Sequence, residues 1–217
     1  MTSATDEKRS KIFYLFRHGE TDWNQAGRMQ GSVDIPLNKF GVAQAEAMRA
    51  FFDGRVGELI SSPLGRARMT SQIALRIPES STGTLRTDAR FAETRLGKAE
   101  GMTRDELQAN FGEAAWENWV GLGTDSWHAK FPEGESKGEV RDRALTALTE
   151  LTSEVHDTFF ISTHGGLLRR LLHHFHPGEY LPIDVGNGYV FKFVFIAGEW
   201  HVDKTPIFTP NSFGGSD

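Results

Sequence analysis

Cysteine is absent from all 217 residues. Its absence removes disulfides, a thiolate nucleophile and every zinc site built on sulfur. Long apolar runs are missing too, and a helix that crosses a bilayer needs roughly 20 such residues. No membrane partner is expected. Clusters of basic residues are also lacking: 24 Lys and Arg stand against 29 Asp and Glu, for a net charge of −5. That balance argues against a nucleic-acid surface. The nucleotide loop Gly-x-x-x-x-Gly-Lys-Ser/Thr does not occur. Met1 to Ser10 is polar and lacks the apolar centre of a signal peptide, so a cytoplasmic setting is expected. Hydrophobic residues still make up 38% of the chain, enough at this length for one domain with a core.

What the chain does contain is a repeated local pattern. Ile12-Phe13-Tyr14-Leu15-Phe16 reads as a short strand buried on both faces, and Arg17-His18-Gly19 follows at once. Thr158-Phe159-Phe160-Ile161-Ser162 is a second such run and ends at Thr163-His164-Gly165-Gly166. A helix follows over Leu167 to Leu172. Ligands of open α/β sheets bind beyond the carboxyl ends of the strands. If the two strands are adjacent and parallel, both imidazoles reach one crevice. A third unit has the same shape. Gly57 to Pro63 reads as a strand into a turn, and Leu64 to Ile77 as a helix. Arg66 falls in the first turn of that helix, where the dipole disfavours a cation unless an anion sits nearby.

These residues resemble the histidine phosphatase superfamily, the branch containing cofactor-dependent phosphoglycerate mutases and many small phosphatases. The likeness rests on an ordered set. It runs through Arg17-His18-Gly19-Glu20-Thr21 with Trp23-Asn24, Gly27-Arg28-Met29-Gln30-Gly31, Asp34-Ile35-Pro36-Leu37, Gly41 with Gln44-Ala45, and Ser61-Ser62-Pro63-Leu64-Gly65-Arg66-Ala67. It continues through Glu93, Gly97, Glu100-Gly101, Phe131-Pro132-Glu133-Gly134-Glu135-Ser136 and His164-Gly165-Gly166. Each motif is weak alone; the order in strand–turn–helix context is specific.

The resemblance implies a fold and a chemistry. The fold is a three-layer α/β/α sandwich with a mostly parallel central sheet and a small helical cap insertion at about residues 94–130. His18 is the nucleophile that forms a phosphohistidine, with its second ring nitrogen held by a backbone carbonyl, Gly19 or a neighbour. Arg17, Asn24, Arg66, His164 and Gly165 bind the phosphoryl group, and amides after Gly165 add to it from the helix N-terminus. Glu93 is the general acid, then the base that activates water. Thr21, Gln30 and Gly31 contact substrate. No cofactor and no metal enter. The partner is a small phosphate ester.

A phosphatase is favoured over a mutase within this resemblance. The mutases place arginine directly after the acid and an Arg-Arg pair in the cap, whereas here Thr94 follows Glu93 and residues 116–123 hold no arginine. They also carry His-Gly-Asn where this chain has His164-Gly165-Gly166. A non-catalytic phosphate-binding module is a third reading, disfavoured because the whole catalytic set is present.

The remaining expectations are structural. Gly41 to Phe52 and Glu135 to Val155 read as helices, and Gly188 to Ile196 with Glu199 to Lys204 as a hairpin turning at Ala197-Gly198. One domain spans 1–217, with flexible ends at about 1–9 and 206–217. Trp116, Trp119 and Trp127 pin the cap to the core, with contact to the leaving group as the alternative. His173, His174 and His176 read as solvated helix-end residues, because adjacent helical positions do not face one metal.

Overall fold

Alternation along one strand divides this molecule into two cores. A computed structural model of the chain describes residues 10–78, 85–122, 124–179 and 181–210. In β1 (Lys11–Arg17), Phe13 and Leu15 face one side of the sheet, and Tyr14 and Phe16 face the other. The first side packs on α6 (Lys137–Leu151) and α7 (Gly165–Phe175) through Val140, Ala144, Leu148, Leu167 and Leu171. The second packs on α2 (Lys39–Phe52) and α3 (Gly65–Ala74) through Met48, Phe52 and Ala74. Helices therefore cover both faces of the sheet, the three-layer α/β/α arrangement.

The sheet has six strands in the order β3-β2-β4-β1-β5-β6. β1, β2 (Glu58–Ser61), β3 (Arg86–Thr87) and β4 (Thr158–Thr163) run parallel. β5 (Val190–Ile196) and β6 (Glu199–Val202) are antiparallel additions at the β1 side. The register matters most for function. Arg17 pairs with Thr163, so His18 and His164 leave adjacent strands at the same level. Both sit where parallel α/β sheets place their ligands.

Between β3 and α6 the chain leaves the sandwich. α4 (Arg104–Phe111) and α5 (Glu113–Val120) pack on a small cluster of their own with Leu96, Leu107, Trp119 and Phe131. Thr103 opens α4 with a capping box to Glu106, and Ser136 opens α6 with one to Glu139. Such caps contribute about 1 kcal/mol each. Among the described residues no helix is long and apolar enough to cross a membrane.

Four sequence expectations need correction. The helix read over 64–77 spans Gly65–Ala74 and stops where Arg76 turns to φ 53°. The helix read over Glu135 to Val155 spans Lys137–Leu151 and closes at Thr152, whose N–H is shared among the carbonyls of Leu148, Thr149 and Glu150; beyond it the carbonyls of Glu154 and His156 accept from Lys11 Nζ at 2.6 and 2.7 Å. α7 begins at Gly165, two residues earlier than read. Residues 206–210 are not a loose tail. Ile207 N–H donates to Val190 O at 2.8 Å, Val190 N–H donates to Phe208 O at 3.0 Å, and the Phe208 ring lies 5.6 Å from that of Phe51. Residues 1–9 and 211–217 lie outside the described residues. The hairpin turn falls at Ala197 and Gly198, both with the positive φ that a two-residue turn of type I′ requires.

Candidate active site

His18 is buried at the end of β1, and its backbone is tied on both sides. Gly19 N–H donates to Thr70 Oγ1 at 3.0 Å, and Asn187 Nδ2 donates to His18 O at 3.0 Å. Gly19 passes so close to Gly41 that a Cβ on either glycine would strike the other segment's backbone. The ring is held as well. Nδ1 lies 2.6 Å from Gly19 O. A carbonyl only accepts, so Nδ1 carries the proton and Nε2 keeps its lone pair. Burial, then Arg66 and Arg17, push the imidazole pKa well below 6.5. His18 is therefore neutral at pH 7.

Three donors surround it. Arg17 Nη1 donates to Val185 O at 2.8 Å, while its buried Nε has no partner among the described residues. Burial lowers the Arg17 pKa to about 10, still cationic at neutral pH. Arg66 donates from Nη1 to Val33 O at 2.6 Å and from Nη2 to Gly31 O at 2.8 Å, and its Nε is likewise unpartnered. His164 stands 5.1 Å from His18, ring centre to ring centre. Its Nε2 lies 2.7 Å from Ser62 Oγ, and its Nδ1 is buried without a partner. Burial, then Arg66, keep it neutral as well. A buried donor left unpaired costs about 1–3 kcal/mol, so three at one place call for an acceptor.

Asn24 sits in the one-turn helix α1 (Asp22–Gln25). Its Oδ1 accepts from Thr21 N–H and from Asn187 Nδ2, both at 3.2 Å, which leaves its amide NH2 for the cleft. The structure does not bring Thr21 to the cleft. That residue is fully buried and caps α1, holding Asn24 in place. Gln30 and Gly31 do line the cleft, from the loop after α1. Gly165 lies against the Arg17 guanidinium rather than in the wall.

Glu93 follows a 3-10 turn at Ala89–Phe91. Its Oε2 accepts from Gly166 N–H at 2.9 Å, and its Oε1 from Leu167 N–H at 3.2 Å and Thr94 N–H at 2.8 Å. This corrects one expectation: the first amides of α7 hold Glu93 rather than standing free for phosphate. Gly166 is needed there, because a Cβ would collide with the carboxylate. Arg143 braces the segment from α6, donating to Arg90 O at 2.6 Å and Glu93 O at 3.1 Å. No local sequence signal marked Arg143.

The cleft holds about 400 Å³ and takes Arg17, His18, Asn24, Arg66 and Glu93 in its floor and walls. Trp116, Trp119, Val120 and Leu122 supply an apolar wall from the insertion. Trp127 does not reach it and stacks under Arg141 instead, 4.6 Å from ring centre to Cζ. His173 overturns its reading as a solvated residue. It is buried, it lines the cleft, and neither ring nitrogen has a partner among the described residues.

A strand-end histidine with its ring held by a backbone carbonyl, beside a second histidine, a buried Arg66 and a partly buried Arg17, defines a class. The sequence pattern of the histidine phosphatase superfamily (branch 1) matches residues 13–206, and the chain belongs to that family. The probable phosphoglycerate mutase GpmB of Yersinia pestis is 39% identical over 137 residues, which are 62% of this chain and 60% of that one. The match thus spans less than two thirds of the curated relative's length. A mycobacterial glucosyl-3-phosphoglycerate phosphatase superposes with a TM-score of 0.71 at 26% identity, covering 89% of this chain and 97% of that one. A phosphoserine phosphatase from Entamoeba histolytica superposes with a TM-score of 0.71 at 25% identity, covering 88% and 94%.

Proposed function

We infer that this protein is a metal-independent phosphomonoesterase that works through a phosphohistidine at His18. The observation that carries the reading is one cluster. A neutral His18, with Nδ1 locked to Gly19, faces three buried donors without partners on Arg17, Arg66 and His164.

The chemistry follows from the geometry. Monoester hydrolysis is among the slowest reactions known without a catalyst. Two displacements through a covalent intermediate divide the barrier. The Nε2 lone pair of His18 attacks phosphorus, and the bond to the leaving oxygen breaks. Arg17, Arg66, His164 and the Asn24 amide hold the phosphoryl oxygens as charge redistributes. Hydrogen bonds of this charged kind contribute about 1.5–3 kcal/mol each. Glu93 in its acid form gives the departing alkoxide a proton. As carboxylate it then takes a proton from water, the resulting hydroxide attacks phosphorus, and the P–N bond breaks. Phosphate leaves and His18 is regenerated.

The likeness to probable phosphoglycerate mutases favours one alternative, in which the phosphohistidine returns its phosphoryl group to a second acid molecule. Thr94 and the arginine-free stretch 116–123 weigh against it. The test is phosphate release from a panel of monoesters with chelator present, with 3-phosphoglycerate and trace bisphosphoglycerate included and His18→Ala as control. Release that survives chelator and vanishes in the variant supports the phosphatase. Interconversion of 2- and 3-phosphoglycerate without release makes the protein a mutase.

A further inference from the structure

The cleft has a second group of basic side chains that the proposed reaction does not use. Arg169, Arg170 and His173 stand on one side of α7 and line the same cavity as His18 and Glu93. Arg170 is buried, its Nε has no partner, and its Cζ lies 4.9 Å over the Trp119 ring. His173 is buried with both nitrogens unpartnered. Lys137 opens α6 beneath them, almost fully buried, and among the described residues donates to Gly121 O alone, at 2.6 Å. Lys137, Arg170 and His173 share a small recess that adjoins the cleft. Among the described residues, no Asp or Glu forms an ion pair with any of the four.

A fold does not bury basic groups such as Lys137 and Arg170 without a counter-charge at no cost. Burial, then Arg170, push the Lys137 pKa down to about 7, and burial lowers that of Arg170 to about 10. Position supplies the second half of the argument. Arg169, Arg170 and His173 line the same cavity as Glu93, and in the proposed reaction Glu93 is the group that faces the leaving oxygen. On that reading Arg169, Arg170 and His173 stand on the side of the alcohol rather than of the reacting phosphorus. Guanidinium donors match the planar oxygens of a carboxylate or the face of a phosphate.

The geometry points to a second anion subsite formed by Arg169, Arg170 and His173, which selects phosphate monoesters whose alcohol carries its own anionic oxygen group. This rests on the phosphomonoesterase reading of the same cleft. It also uses other positions than the family resemblance would suggest. The arginines that mutases carry after the acid and in the cap are missing here, and the cations come from α7 instead.

The experiment compares matched esters. Glycerol 3-phosphate and 3-phosphoglycerate differ by a carboxylate; propanediol phosphate and propanediol bisphosphate differ by a second phosphate. Phosphoethanolamine carries a cation in that place. The wild type should prefer an acidic member of a pair and turn over phosphoethanolamine worst. Arg170→Met and His173→Phe should lower kcat/KM for the preferred acidic ester about tenfold more than for its neutral partner, chiefly through KM. The pair that responds names the group. Equal losses within both pairs would show that Arg170 and His173 only brace the cap, and would overturn the subsite. Calorimetry separates this from failure of the phosphatase reading. Titrated into His18→Ala, 3-phosphoglycerate and propanediol bisphosphate should bind more tightly than their partners, and adding Arg170→Met should remove the difference. That result upholds the subsite even if no ester is hydrolysed, and no difference in binding within either pair overturns it.

Discussion

Ser62 Oγ and His164 Nε2 lie 2.7 Å apart in a fully buried pair. The hydroxyl accepts from Leu64 N–H at 3.3 Å, and among the described residues the ring is the acceptor within reach of its own proton. Ser62 thus donates to Nε2, and His164 carries its proton on Nδ1, the unpartnered nitrogen beside His18. A serine at the end of one strand sets the tautomer of a histidine at the end of the next. Ser62→Ala should raise KM and lower kcat/KM by about one order of magnitude, since one oriented donor is weakened rather than removed. Nitrogen NMR of His164 should show the proton redistributed between the two ring positions. Unchanged ring shifts would mean that Ser62 does not set the tautomer.

Acid should destabilise the protein before its carboxylates titrate. The pKa values of His18 and His164 are held well below 6.5 by burial, and those of His173 and His174 are lowered the same way. Between the folded and unfolded values the unfolded chain binds more protons, so stability rises with pH there. It is fully present above about 6.5, is lost as pH falls toward the folded values, and levels off below them. The Tm should therefore drop from pH 7 to pH 5, and His18→Asn should flatten that slope. A Tm that is flat over this range would contradict the neutral, buried imidazoles.

Glu93→Gln separates the acid role from the structural one. The amide oxygen keeps the N–H bonds of one carboxylate oxygen, the NH2 loses those of the other, and the side chain cannot shuttle a proton; thermal melts of the variant read the structural loss separately. Turnover of alkyl phosphates should fall by about 10²–10⁴, and the first-step burst from an activated aryl phosphate far less. A loss in the aryl burst as large as that in alkyl turnover would remove Glu93 as the acid.

The tryptophans should divide by position. Trp116 lines the cleft and Trp127 does not. Trp116→Ala should reorder the ester panel, whereas Trp127→Ala should keep the order. Trp119→Ala should cost about 3–5 kcal/mol of stability, because it is the buried centre of the cap cluster and touches Phe131 at 5.1 Å. Thermal melts and the substrate ranking read the two effects independently.

Local order carried most of this protein into its sequence. A five-residue apolar run buried on both faces, ended by His18-Gly19 or His164-Gly165, specifies a strand and a sharp turn from short-range sterics alone. The apolar stripe Leu167, Leu168, Leu171 and Leu172 likewise dictates α7 and the face it buries. Other features depend on what lies across space. The register pairing Arg17 with Thr163 sets the two imidazoles level, and it joins residues 146 positions apart. The amides of α7 reach Glu93 rather than solvent because a segment more than 70 residues earlier packs against them. His173 looked solvated because its own helix offers it no cover; the insertion and α6 provide that cover. Burial, charge pairing and orphaned donors are sums over many neighbours, and only the closed tertiary structure brings those neighbours together.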